Sequence, residues 1–171
     1  MSLKNIIAHY LLSKKESAAI KKQFISWDQI ATISIVMSDN QLHDILEFVE
    51  ACKKNSIVIH AAIIYDGPIE KVPKPNFDYT IYTKKHFSLF QIPNEKTINE
   101  LSTSSVDVLI NLCEPNQMKA LALSKLTKAK CKISYFENPI FDISIKMDKG
   151  TDFSGFLKQV ILYINMIKTK K

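Results

Sequence analysis

Two hydrophobic rhythms alternate along this chain. Short apolar runs recur as ATISIVM (31–37), SIVIHAAIIY (56–65), FDYTIYT (77–83), VDVLINL (106–112), CKISYF (131–136) and FDISIKM (141–147). They are rich in β-branched and aromatic residues, and they predict six strands. The second run is almost unbroken in apolar character, as expected of a strand covered on both faces of its sheet.

Between the runs the period changes to that of a helix. Leu3, Ile6, Ile7, Tyr10 and Leu11 follow i, i+3, i+4 spacing and predict an amphipathic helix over residues 1–24, with most lysines off the stripe. Ser38 to Gln41 has the form of a capping box, and Leu42, Ile45, Leu46, Val49 and Cys52 give the helix behind it a stripe. NEKTINELS (94–102) reads as a short helix. Pro115 is expected at the start of the next one, whose inner face is Met118, Leu121, Ala122 and Leu126. A last helix carries Phe153, Phe156, Leu157, Val160, Ile161 and Ile164 on one side.

Strands alternating with helices predict an α/β fold: a three-layer, Rossmann-like sandwich with a mostly parallel sheet of about six strands. A basic N-terminal helix and a long C-terminal helix flank it. The last two strands are joined by the tight turn ENPI, too short for a helical crossover, so one is expected to run antiparallel at an edge. The organisation is a basic helix over 1–24 and a single α/β domain over 25–171.

Charge sharpens this picture. The net charge is +6, and all 23 basic residues are lysine. Lys4, Lys14, Lys15, Lys21 and Lys22 crowd the first 24 residues, and Lys168, Lys170 and Lys171 the other end, which leaves the body near neutral. Lysine is a point charge without the planar fork that reads phosphate or guanine bidentately, so sequence-specific nucleic-acid recognition is not expected. The five early lysines are candidates for docking on another protein, or on an anionic surface. The three cysteines show no CxxC pairing and suit a reducing cytoplasm. No apolar run approaches the length of a membrane span, and the N-terminus lacks the pattern of a signal peptide.

Candidate chemistry sits where strands end. Of three glycines none forms a phosphate-binding loop, and no cofactor is expected. After the first strand stand Ser38, Asp39 and Asn40, whose side chains would crowd a pyrophosphate. The second strand ends at Asp66. The fourth presents Asn111, Cys113, Glu114 and Asn116 before a helix. Cys113 with Glu114 is the weak catalytic candidate, and the other rim residues could hold a ligand. The plainer reading is a small buried thiol at a strand end, with an acid near the positive end of a helix. The histidines show no metal-ligand spacing, and no metal site is expected.

The cadence of VDVLINLCEPNQMKALALSKLTKAKCKISYFEN, with ISIVMSD before it and FDISIKMDKG after it, resembles a family of small uncharacterised α/β proteins from the Bacteroidota. That resemblance implies the fold and a cytoplasmic setting, with no catalytic residue to carry over. The same segment is similar to the end of one half of heptosyltransferase-like glycosyltransferases. Those enzymes usually place glycine where this chain has Ser38, Asp39 and Asn40. The leading expectation is a non-catalytic binding or adaptor module. The rivals are a small enzyme acting on a phosphorylated or sugar-like ligand at the carboxyl edge of the sheet, and a protein that associates non-specifically with RNA or the ribosome.

Overall fold

The computed structural model describes residues 3–15, 20–72, 74–148 and 150–166, without the side chains of Lys4, Asn5 and Ile69. Lys168, Lys170 and Lys171 lie outside the described residues, as does the Lys4 side chain.

Six strands form one sheet: β1 (Thr32–Ser38), β2 (Val58–Ile64), β3 (Asp78–Tyr82), β4 (Ser105–Asn111), β5 (Lys128–Ser134) and β6 (Ile143–Ser144). Their order is β3-β2-β1-β4-β5-β6, and every pairing is parallel. The helices are α1 (Leu3–Lys14), α2 (Leu46–Lys54), α3 (Glu95–Thr103), α4 (Met118–Leu126) and α5 (Phe153–Met166). Side chains alternate across β1. Ile33, Ile35 and Met37 pack with Phe48 and Cys52 of α2 and with Phe156 and Val160 of α5. Val36 packs on the opposite face, in the core shared with Leu121 of α4 and Leu12 of α1. The three-layer sandwich is therefore observed. β1 and β4 lie in its middle, with residues 33–37 and 107–111 buried throughout.

Three details differ from the pattern along the sequence. β6 is parallel to β5, with Ile133 opposite Ile143 and Ser134 opposite Ser144. A parallel return usually needs a helical crossover, but β6 is only two residues long and meets only the end of β5. The chain therefore has a short distance to travel back, and a loop covers it. Next, Pro115 lies in a turn before α4, closed by Gln117 N–H donating to Glu114 O at 3.0 Å.

The third difference is at the start. α1 ends at Lys14, and residues 20–26 are not helical. Gln23 N–H donates to Lys130 O, which ties that stretch to the edge of β5. The residues α1 buries are Ala8 and Leu12, whereas Leu3, Ile6 and Tyr10 of the expected stripe are 72%, 49% and 57% exposed. Leu11 of that stripe packs against the same core and Ile7 is half-buried, so α1 turns Ala8 and Leu12 inward with one flank of the expected stripe. α4 is consequently buried nearly all round, between α1, α3 and the sheet.

Among its described residues the β2–β3 connection carries a 3-10 turn at Ile69–Lys71 and no α-helix. The amino-terminal part of β1 to β3 is left under an open cleft of about 590 Å³ lined by Ser34, His60, Asp78 and Thr80. No helix among the described residues is long and apolar enough to cross a membrane.

Candidate functional site

Between β1 and β4 the sheet changes direction: the chain leaves β1 toward β2 on one side and leaves β4 toward β5 on the other. In open α/β sheets ligands bind in the crevice outside the carboxyl ends of such a pair. Ser38 and Asn111 end the two strands, so two of the rim residues expected from sequence flank this point.

The crevice is laced together by its own side chains. The Gln41 side chain accepts the Ser38 N–H through Oε1 at 2.8 Å and donates through Nε2 to Leu112 O at 2.7 Å, bridging the two strand ends. Ser38 Oγ stands 3.8 Å from Cys113 Sγ and accepts from Gln117 Nε2 at 3.4 Å. Asn111, fully buried, accepts the Cys113 N–H through Oδ1 at 2.7 Å. Its Nδ2 has no partner. Ser38, Asn111 and Cys113 are thus brought together with Gln41 and Gln117, two residues sequence reasoning did not assign to a rim. The S-x-x-Q spacing was visible as a cap, but its second bond, across to β4, depends on strand order.

The remaining candidates do not join them. Asp39 and Asn40 sit in a 3-10 turn at Asp39–Gln41. Asp66 pairs with Lys119 of α4 at 2.5 Å. Glu114 and Asn116 are exposed. Among the described residues no hydrogen bond links Asp39, Asp66 and Glu114, and no group of three or more His, Cys, Asp or Glu side chains could hold a metal ion.

Cys113 is poorly placed for nucleophilic work. Burial pushes its thiol up to about 12; the Ser38 hydroxyl draws it slightly down, and the Glu114 charge adds to the rise. A thiolate nucleophile needs the reverse shift and a base within reach. Two of the histidines hydrogen-bond elsewhere: His86 accepts the Thr83 N–H at 2.9 Å, and His60 shares a hydrogen bond with Thr80 Oγ1 at 2.9 Å. Burial lowers the His60 pKa, against the opposing charge of Asp78.

Two lysines of β5 are engaged at different places. Lys130 pairs with buried Asp107 at 2.7 Å. Lys132 lines a separate cavity of about 430 Å³ together with Lys22, Lys125 and Asp142. The alternation KAKCK at 128–132 would have placed Lys128, Lys130 and Lys132 on one face. A strand reading that began at Cys131 concealed it.

The geometry defines a doubly wound α/β protein whose switch point is closed by its own side chains. The chain belongs to a family of unknown function, DUF6913, which matches residues 2–167. No curated protein and no solved structure matches it.

Proposed function

We propose that this chain is a non-catalytic binding or adaptor module that docks on another protein through the outer face of α1. The observation that carries this reading is the exposure of Leu3, Ile6 and Tyr10 beside Lys14 and Lys15. Phe24 is also 53% exposed, three residues after exposed Lys21. An apolar helix face rimmed by cations suits a partner groove edged with carboxylates. Lys14 Nζ already lies 4.5 Å from the Tyr10 ring centroid, holding one charge at the margin of the patch. Lys22 contributes less, because Asp142 engages it at 2.8 Å.

The filled rim supports the non-catalytic part: an enzyme using the carboxyl edge would need an open crevice there. Three free, buried cysteines suit a cytoplasmic setting. A photo-crosslinking residue in place of Tyr10, used in living cells, tests the proposal. The expected result is one protein partner, cross-linked through an acidic patch and lost on Ile6→Asp. Cross-links to lipid alone, to nucleic acid alone, or to no partner would overturn it.

A further inference from the structure

The cavity beneath α1 is bounded by α4, the end of β5 and the turn at residues 138–142, and its volume of about 430 Å³ is that of a small-molecule site. Lys22, Lys125 and Lys132 line it. Among the described residues one carboxylate, Asp142, does so too. That carboxylate is already engaged, by Lys22 Nζ and by the Lys132 backbone N–H, each at 2.8 Å.

Capping explains part of the arrangement. Lys125 Nζ donates to Leu12 O at 2.6 Å and more loosely to Ser13 O, closing the end of α1. Lys132 Nζ donates to Lys125 O at 2.8 Å, in the last turn of α4. Each ammonium has three donors, and these contacts use one or two of them. Capping does not explain the burial. Lys132 is 2% exposed, and among the described residues no carboxylate bonds its ammonium. Buried charges are ordinarily paired, because an unpaired one is costly to desolvate. Leu12, Leu121 and Ile140 add an apolar wall beside the ammonium groups.

We infer that this cavity binds a phosphomonoester with an apolar body, its phosphate held by Lys132 and Lys125 and its body against Leu121 and Ile140. Among the described residues, three ammonium groups against one carboxylate leave an excess that matches a phosphomonoester near neutral pH. Lysine binds a phosphate as a point charge, and several ammonium groups converging on one cavity supply that charge without bidentate geometry. The site is separate from the outer face of α1, so its failure would leave the docking proposal standing.

Binding is expected to depend on pH. The groups facing the cavity are His9 of α1, Lys22 before β1, Lys125 of α4, Lys132 of β5 and Asp142 of the turn. Burial lowers the Lys132 pKa to about 8; Lys22 and Lys125 lower it further, and Asp142 opposes them. A bound anion favours the protonated amine, so affinity falls as pH rises through that value.

Calorimetric titration of the full chain with phenyl phosphate tests the site. The expected result is saturable one-to-one binding, weakened about tenfold or more in Lys132→Met and in Lys125→Met. The surface control Lys53→Met, which removes only an exposed pair with Glu50, should leave it unchanged. Phenol and inorganic phosphate should each bind at least about tenfold more weakly than phenyl phosphate, since each offers half of the recognition. No saturable binding, or equal binding by Lys132→Met, overturns the inference. Vesicles containing phosphatidic acid present the same headgroup, and binding to them without phenyl phosphate overturns it too. Should Lys132→Met fail to fold, the wild type decides. Its lysine resonance titrating near pH 8 must move upward on saturation with phenyl phosphate, and an unmoved midpoint refutes the site.

Discussion

Thr32 and Asp107 hold each other in both directions: the Thr32 N–H donates to Asp107 Oδ2 at 3.0 Å, and the Asp107 N–H donates to Thr32 Oγ1 at 3.0 Å. The same carboxylate oxygen accepts the Ala31 N–H at 2.8 Å, and Lys130 pairs with the other oxygen. The β1–β4 ladder begins one residue later, at Ile33 opposite Val108. Side chains therefore complete the entry to the central strand pair, where backbone pairing has not yet begun.

Asp107→Asn removes charge-assisted bonds at this buried junction and should cost about 1–3 kcal/mol in urea unfolding. Burial alone would raise the Asp107 pKa. The bonds from Lys130, Ala31 and Thr32 outweigh it and hold the carboxyl below its ordinary 3.8. The folded chain thus binds this proton less readily than the unfolded one. The stabilisation is complete above the unfolded value and fades as pH falls through the lowered folded value. The gap between wild type and Asp107→Asn should accordingly be full at neutral pH and shrink in acid. A gap that does not change with pH would show that the charge contributes nothing.

The cysteines should be inert in the native chain. Burial pushes Cys52, Cys113 and Cys131 each up to about 12. At pH 8 the thiolate fraction is then about one in ten thousand. Thiol titration should find almost no reaction in buffer and all three groups in urea. Cys113→Ser and Glu114→Gln should also leave any cellular phenotype unchanged. Rapid native labelling of Cys113, or loss of phenotype in a folded variant, would restore the rim as a reactive site.

On α1 exposed and buried positions should respond differently to mutation. Ile6→Asp and Tyr10→Asp change exposed positions and should shift stability by no more than about 0.5 kcal/mol. Leu12→Ala empties a buried one and should cost about 2–4 kcal/mol. Asn5, His9 and Ser13 dilute the apolar moment, so cosedimentation with phosphatidylserine vesicles should leave most of the chain in the supernatant. Strong, salt-sensitive pelleting that disappears on deleting residues 1–24 would make lipid the partner.

Nucleic-acid binding should be weak and indifferent to sequence. Lysine-only contacts act through counterion release, so affinity should collapse as salt rises through the physiological range. Filter binding of several unrelated RNAs at two salt concentrations checks this. One RNA retained far above the others at the higher salt would contradict it.

The central strands were legible because β-branched residues recur through ATISIVM and VDVLINL, and both segments are buried on two faces. Their adjacency was not, since nothing local in residues 33–36 names 108–111 as the partner. The direction of β6 was misjudged because chain separation was visible while the distance to be travelled was not. On α1 hydropathy marks a stripe through Ile6, Ile7 and Tyr10, whereas packing on α4 turns the buried side to Ala8, Leu12 and half-buried Leu11. At the candidate site, the strand-end positions of Ser38, Asn111 and Cys113 could be read from the pattern. The closure by Gln41 and Gln117 depends on β4 lying beside β1. Lys132 was missed for a different reason: polar alternation along a strand signals a solvent face, and here that face lies beneath two helices.

The neighbours of β1 also arrive at very different times. Ile33 meets Ile59 on one side and Val108 on the other. As synthesis proceeds, β2 emerges soon after β1, with only α2 between them. The opposite edge of β1 then waits, with its amides unpaired, until residues 105–111 have left the ribosome. Pairing at such long sequence separation is slow, and a bare apolar edge invites association with other nascent chains. Fragments ending before Ser105 should therefore be caught by chaperones or aggregate, whereas chains extended past β5 should escape both fates.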